Sequence, residues 1–462
     1  MLFHLDQASW PRIREETRAL SHLALPMMVA QIAQVATGFV DTVMAGRVST
    51  DDLAAVSLGA SIFITVYVTL MGIVSALNPI LSHQFGAGET RSIGETARQG
   101  LWFGLLLGCL GVLLMLAIQP LLRQWLNLPD TVEDKVMLYI DGAAFGMPAA
   151  MMHRALHAFA SSLNRPRPIM VVSLIALLLN IPLNYMLIHG LFGLPQLGGA
   201  GCGWATGMVM WFNAITLFVY LARNRALAGY GLTQQFSWPQ WSRFPAMLKL
   251  GLPIGLSFFV EVSLFSFIAL LIAQLGTLVV ASHQAVLNFS SLIYMIPQSI
   301  ATALTIRVGQ SIGSGDYLQA RLISGLGIAL SIAAAVLTML LVLLFRHQII
   351  AMYSPDPAVV ALGSTLMLFA AFYQLTDAMQ TVASGALRGY KITTLPMAIH
   401  IVSFWGLGLG LGMVLGLTDW LLPRMGVHGF WAALVVSLSV AGLTLVGYLS
   451  HISRQRLHRQ TL

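Results

Sequence analysis

Residues 20–44 read LSHLALPMMVAQIAQVATGFVDTVM, and residues 247–271 read MLKLGLPIGLSFFVEVSLFSFIALL. Each run is long and apolar enough for a helix that crosses a bilayer, which takes about 20 residues. The two also resemble each other. Leu25-Pro26 matches Leu252-Pro253, and Gln34, eight residues after its proline, matches Glu261, eight after its own. The offset of 227 holds at Gly86-x-Gly88 and Gly313-x-Gly315, and becomes 228 at Gly198-x-x-Gly201 and Gly426-x-x-Gly429. A near-constant offset over most of a half indicates an internal duplication.

Composition agrees with a membrane protein. Of 462 residues, 57% are apolar and 9% are Asp, Glu, Lys or Arg, against roughly 25% charged in a soluble globular protein. Mean hydropathy is +0.80. Too few polar side chains remain to coat a globule in water, which excludes a soluble enzyme or a nucleic-acid-binding module. The net charge of +7 is read as Lys and Arg retained in cytoplasmic loops, not as a nucleic-acid footprint. Cys109 and Cys202 show no metal-ligand spacing and imply no disulfide framework. Asp6, Glu15 and Glu16 precede a long first apolar run, as expected for a retained first span.

Apolar windows near 20–44, 53–77, 99–119, 136–153, 168–189, 200–222, 248–272, 280–305, 322–345, 358–385, 394–417 and 427–449 predict twelve helices. Strand-like alternation is absent, and a single helix satisfies its own backbone in lipid. The fourth window is the least regular, because Asp141 lies inside it. With the N-terminus in the cytoplasm, 19 Lys and Arg fall on the cytoplasmic side and 5 on the other. A miscounted helix would reverse the bias downstream, so both termini are expected inside. The polar, aromatic stretch 223–247 divides the chain into 1–222, a cytoplasmic linker and 248–462. Six spans per repeat is an even number, so both copies share one orientation. Such copies are related by an axis along the membrane normal, a transporter arrangement with the substrate path between the halves.

Three acids are deep: Asp41 in span one, Glu261 in span seven and Asp377 in span ten. With no Lys or Arg expected beside them, each must take up a proton, bind a metal cation or face a wet cavity holding a cationic solute. Tyr373, Asp377, Gln380, Thr381 and Ser384 form a stripe on one helical face, as spacings of three and four require. Gln31, Gln34 and Asp41 do so in span one, Gln284, Asn288 and Ser291 in span eight, and Asn180 and Asn184 in span five. Pro182 lies between those asparagines, lacks an N–H and frees a carbonyl one turn back, a potential oxygen ligand. Pro26 and Pro253 are read as hinges. No phosphate-cradling Gly-Lys-Ser/Thr loop or His-Glu-x-x-His is present, and direct use of ATP or intramembrane hydrolysis is unsupported. Asp51-Asp52 is expected at a helix N-terminus, and Gly406, Gly408, Gly410 and Gly412 at close helix contacts.

The strings Leu25-Pro26, Gln31, Gln34 and Gly38-Phe39-Val40-Asp41-Thr42-Val43-Met44-Ala45-Gly46 resemble the first helix of the multidrug and toxic compound extrusion (MATE) family, NorM-like branch. Asn180-Ile181-Pro182-Leu183-Asn184-Tyr185, Gly198-Gly199-Ala200-Gly201-Cys202-Gly203 and Leu387-Arg388-Gly389-Tyr390-Lys391 are similar to it as well. The resemblance implies an all-α fold of twelve transmembrane helices, in two six-helix lobes that form a V and are related by a pseudo-twofold axis. It implies export of organic cations and other amphipathic drugs against inward Na⁺ or H⁺. It assigns Glu261, Tyr373 and Asp377 to the cation site, with Na⁺ as the metal they would hold. Asp41, Asn180, Asn184 and Thr206 form an N-lobe polar cluster, to which the stripe of span one adds Gln34. The resemblance gives Gln284, Tyr294 and Asp356 to drug contact, and Asp41 joins them as the carboxylate facing a cationic drug. Some family members carry an acid where this chain has Asn184, which leaves Asp41 as the only carboxylate of its cluster.

The expectation is therefore a cation-coupled multidrug antiporter of the bacterial inner membrane, a monomer with no cofactor beyond its coupling ion. A lipid-linked precursor flippase of related architecture is the alternative. It would need cationic side chains in the cavity for a diphosphate.

Overall fold

The computed structural model describes residues 9–125 and 129–461; Asp6 lies outside them. Among the described residues there are helices and loops and no strand. In chain order the helices are α1 (Trp10–Gly46), α2 (Thr50–Val74), α3 (Leu77–Gly86), α4 (Thr90–Trp125), α5 (Asp130–Ser162), α6 (Arg167–His189) and α7 (Gly201–Arg223). The second half holds α8 (Phe244–Ala273), α9 (Thr277–Gly313), α10 (Tyr317–Ala351), α11 (Pro357–Gly389), α12 (Thr394–His400), α13 (Gly412–Leu417) and α14 (Val427–Thr461). A π-helical stretch, Ile401–Leu411, joins α12 to α13.

Eleven of these segments are long and apolar enough to cross a membrane, with α2 and α3 acting as one and α12 to α13 as another. The twelfth is α5, the window that Asp141 interrupts. Its 33 residues pack against α2, α4 and α7, and Asp141 Oδ1 accepts a hydrogen bond from Gln119 Nε2 on α4 at 2.7 Å. A helix sheathed by its neighbours needs less hydropathy than one facing lipid. It needs close approach instead: at Gly207 on α7, a Cβ would collide with the Gly142 carbonyl of α5. Small residues at helical spacing let backbones meet in this way.

The extra residue that moves the repeat from 227 to 228 also has a structural basis. Span five, α6, has 23 residues, whereas its counterpart Thr394–Leu417 has 24 and contains the π stretch. A π turn accommodates an added residue within a continuous helix. The glycine series lies across this stretch, and only part of it is packed. Gly408 and Gly412 abut Ser437 and Phe430 of α14, while Gly406 has open space around it. The close-packing expectation therefore holds for two of the four glycines.

The chain forms two compact units. The C-terminal unit comprises Met1–Met28 and Leu256–Leu462, and the N-terminal unit Val29–Gly255. Both divisions fall inside helices, two residues beyond Pro26 in α1 and two beyond Pro253 in α8. The sequence-based division ran through 223–247 instead; that stretch belongs to the N-terminal unit. There Gln99 Nε2 donates to the Trp238 carbonyl at 2.8 Å, and Trp102 Nε1 donates to the Ser237 carbonyl at 3.0 Å.

Packing explains each division. The start of α8 lies against α2 through Gly251 and Gly255, where any side chain would meet Ile73. The start of α1 buries Leu20, Leu23 and Met27 against Leu304, Ile323, Leu387 and Leu445. Glu16 secures it: Arg307 Nη2 donates to both carboxylate oxygens at 2.8 and 2.7 Å, and Gln319 Nε2 donates at 2.6 Å.

Candidate functional site

In the N-terminal unit, Asp41 is built into a hydrogen-bonded knot. Its Oδ1 accepts from Asn184 Nδ2 at 2.6 Å, and its Oδ2 accepts from Thr206 Oγ1 at 2.7 Å. The same Asn184 amide donates to Asn180 Oδ1 at 2.9 Å. One carboxylate, two amides and a hydroxyl from α1, α6 and α7 thus share a single buried site, with Asp41 3% exposed and both asparagines fully buried. Asn180 Nδ2 and Asn184 Oδ1 have no partner in the protein, which leaves polar capacity beside the carboxylate. Gln34 is not brought in; its side chain is exposed on α1.

A second polar centre occupies the C-terminal unit. Asp377 Oδ1 accepts from Gln380 Nε2 at 3.0 Å, and that amide also donates to Thr381 Oγ1 at 2.9 Å. His400 Nε2 lies 3.0 Å from Gln380 Oε1 and 3.4 Å from Ser384 Oγ. The polar stripe of α11 is therefore a rail of hydrogen bonds along one face, closed by a histidine from α12. Sequence reasoning missed His400, because it is a lone histidine in an apolar window. Tyr373 is buried against the Trp431 and Phe265 rings, with centroids 6.0 and 6.3 Å away.

Glu261 on α8 belongs to the same centre, since it interacts electrostatically with Asp377 and Tyr294. One premise of the sequence reading needs correction. Arg388 is not a loop residue but sits in the last turn of α11, with its Cζ 5.3 Å from the Phe258 ring centroid and its charge acting on Glu261 and Tyr294. Arg388 follows Asp377 by three helical turns, the spacing that returns to one face. That period was the signal available in the sequence. Arg154, also expected in a loop, lies inside α5 near Tyr67, and its buried Nε has no partner.

Of the remaining candidates, Tyr294 adjoins this centre and the others lie elsewhere. Tyr294 is half-buried on α9 and donates to Gln298 Oε1 at 3.3 Å. Gln284 is exposed on the same helix. Asp356 is exposed and caps α11, with its Oδ1 accepting from the Ala358 N–H at 2.9 Å. Asp51 and Asp52 do stand at a helix start, where Ser49 caps α2. Asp52 also pairs with Lys135 Nζ at 2.9 Å and accepts from the Gly199 N–H at 2.8 Å. Among the described residues no three His, Cys, Asp or Glu side chains form a metal-binding group. A cation at Glu261 and Asp377 would take its other ligands from phenol, amide, hydroxyl or carbonyl oxygen.

Repeated six-span halves with buried carboxylates set among amides and hydroxyls define a membrane transporter, because a bare charge is costly in a span and is kept there to hold a solute. The MatE family model matches the chain twice, over residues 26–186 and 253–414. The two blocks begin at Pro26 and Pro253 and carry the offset of 227 at their starts and 228 at their ends. The chain belongs to the MatE family. It is 67% identical over 459 residues to the probable multidrug resistance protein NorM of Chromobacterium violaceum, covering 99% of each chain. It is 50% identical to the probable multidrug resistance protein NorM of Neisseria meningitidis serogroup B, covering 98% of each. Among solved structures, the MATE transporter NorM-NG, in complex with a ligand and a monobody, superposes with a TM-score of 0.82 at 47% identity, covering 95% of each chain. The twelve-helix, two-lobe fold expected from the sequence is the fold of this protein.

Proposed function

We propose that this protein exports multiple drugs, chiefly organic and amphipathic cations, across the bacterial inner membrane in exchange for Na⁺ or H⁺. The observation that carries the coupling is the placement of Glu261 and Asp377 within electrostatic reach of one another in a single unit. Two neighbouring carboxylates in an apolar bundle favour a bound cation or shared protons over two bare charges. Tyr373 and Tyr294 complete the polar wall of this site. Relatives named for multidrug resistance, and a MATE transporter relative solved with a bound ligand, support the choice of cargo.

On this reading, cation binding at Glu261 and Asp377 stabilises one arrangement of the lobes and drug binding another, so the two ligands compete through a shared equilibrium. Pro26 and Pro253 serve as hinges, a role supported by the change of unit two residues beyond each of them. Asp41 contacts the positive group of the drug, with Gln284, Tyr294 and Asp356 as further drug contacts. The protein works as a monomer with both termini and the 223–247 linker in the cytoplasm.

Flux in proteoliposomes, with Na⁺ and pH gradients imposed separately, tests the coupling. Export driven by neither gradient would overturn it. Orientation is tested by a cysteine at the exposed Gln235 in a Cys109→Ser background; it should resist an impermeant thiol reagent in intact cells.

A further inference from the structure

A narrow cleft opens in the C-terminal unit beside Asp377, on the side that faces α10. Its walls come from three helices: Ser290, Ile293 and Tyr294 of α9, Ser331 and Thr338 of α10, and Gln374 and Asp377 of α11. Ile296, Pro297, Ala334, Ala335 and Ala378 complete the wall, so its polar groups are set in apolar surroundings. Gln374 is only 5% exposed, yet neither its amide nitrogen nor its amide oxygen has a partner in the protein. Ser290, also 5% exposed, leaves its hydroxyl unpaired, although a helical serine can bond the carbonyl four residues back. Pro297 lies one turn beyond Ile293 and has no N–H, so the Ile293 carbonyl loses its helical donor. Leaving two buried polar side chains unsatisfied is costly, and native proteins normally give each a partner.

We propose that this cleft is a Na⁺ station next to the Glu261–Asp377 centre, with Ser290 Oγ, Gln374 Oε1 and the Ile293 carbonyl as its protein ligands. The donor set is all oxygen and, apart from the adjoining Asp377, neutral, which suits a small hard monovalent cation. Neutral oxygens hold such an ion loosely enough to pass it on to a carboxylate. Gln374 and Asp377 are three residues apart on one helix, so the station and the coupling acid share a face. Gln374 and Ser290 thus supply neutral ligand oxygens to the coupling ion, while the acids supply the charge. The inference rests on the coupling reading above, which does not itself require either residue.

The test uses the full-length protein in proteoliposomes and in detergent. Wild type, Gln374→Leu, Ser290→Ala and Asp377→Asn are compared by drug efflux against Na⁺ concentration, by ²²Na⁺ binding, and by drug affinity without Na⁺. Gln374→Leu and Ser290→Ala should each raise the half-saturating Na⁺ about tenfold, the loss expected from one buried ligand oxygen. Drug affinity without Na⁺ should stay at the wild-type value, which also reports that the variants fold. Ser290→Thr should restore the wild-type Na⁺ curve. If Asp377→Asn abolishes the Na⁺ response while Gln374→Leu and Ser290→Ala match wild type, the station is wrong and the coupling site stands. A wild type driven by a proton gradient and indifferent to Na⁺ also overturns the station alone. A wild type driven by neither cation overturns both.

Discussion

The two units share a duplicated backbone but have distributed their polar residues differently. At the offset of 227, Glu261, Tyr294, Asp377 and Thr381 of the C-terminal unit correspond to Gln34, Tyr67, Ala150 and Arg154 of the N-terminal unit. Two acids on one side stand against an amide, a methyl group and a guanidinium on the other. The asymmetry also runs the other way. Asp41 and Thr206 correspond to Ile268 and Leu434, which lie in an apolar core with Phe404 and Trp431. A third triplet repeats the lesson: the ion pair of Asp52 and Lys135 beside Gly199 corresponds to Val279, Leu362 and Val427, packed around that same core. Duplication preserved the order of the spans and glycine turns such as Gly86-x-Gly88 and Gly313-x-Gly315. Charge was free to diverge, because each buried acid needs only its own local shell.

Substitutions that move one unit towards the other can break or sharpen this comparison. The largest effect is expected from converting the acid pair to the neutral state of its counterpart. Glu261→Gln or Asp377→Asn should reduce gradient-driven export in proteoliposomes to background while drug binding persists. Full transport by both single variants would show that the two units are equivalent after all.

Next comes Ile268→Asp, which places the acid of the Asp41 station in the apolar unit. With Leu434 in place of a hydroxyl and no amides to receive it, the carboxylate should cost about 3 kcal/mol, read as a fall in thermal midpoint in detergent. An unchanged midpoint would mean that the site around Ile268 is wet.

Asp41→Asn probes the same station from the other side and should have a smaller effect. The neutral amide keeps the shape and can still bond Thr206, so stability should change by about 1 kcal/mol. Affinity for a permanently charged drug should fall about tenfold, the contribution of one charge-assisted contact, and affinity for a neutral drug should hold. Equal affinities for the charged drug in variant and wild type would make Asp41 a purely structural group.

The smallest net change is expected for the ion pair itself. Gly199→Val should destabilise, because a Cβ there would lie 2.7 Å from the Cβ of Asp52. With Gly199 left in place, Asp52→Val combined with Lys135→Leu brings in the apolar residues of the other unit. That double variant should stay within about 1 kcal/mol of wild type, since a buried ion pair replaced as a whole by hydrophobic groups is often neutral. A double variant as unstable as Gly199→Val would mean that the ion pair does more than fill space.

Much of the protein can be read without coordinates. Spans, the repeat and the stripe on α11 are legible because hydropathy, offset and helical period are properties of a one-dimensional string, and the bilayer forces each long apolar run into a helix. The approximate site is legible for a similar reason: an acid in a membrane span must be held by something. Which helical faces meet is not encoded in any single helix, and only the tertiary structure decided it. Gln34 and Glu261 occupy the same repeat position, yet one is exposed and the other belongs to a polar centre with Asp377. Arg388 and Arg154 looked like loop cations until the helices enclosing them were seen to continue past them. His400 joined the rail of α11 because the turn before the π stretch brings it there. The start of α1 left its own half because Glu16, Leu20 and Met27 find Arg307 and the core of the C-terminal unit. A polar group in lipid is satisfied by whichever neighbour packing delivers, and packing is settled by all the helices of a unit together.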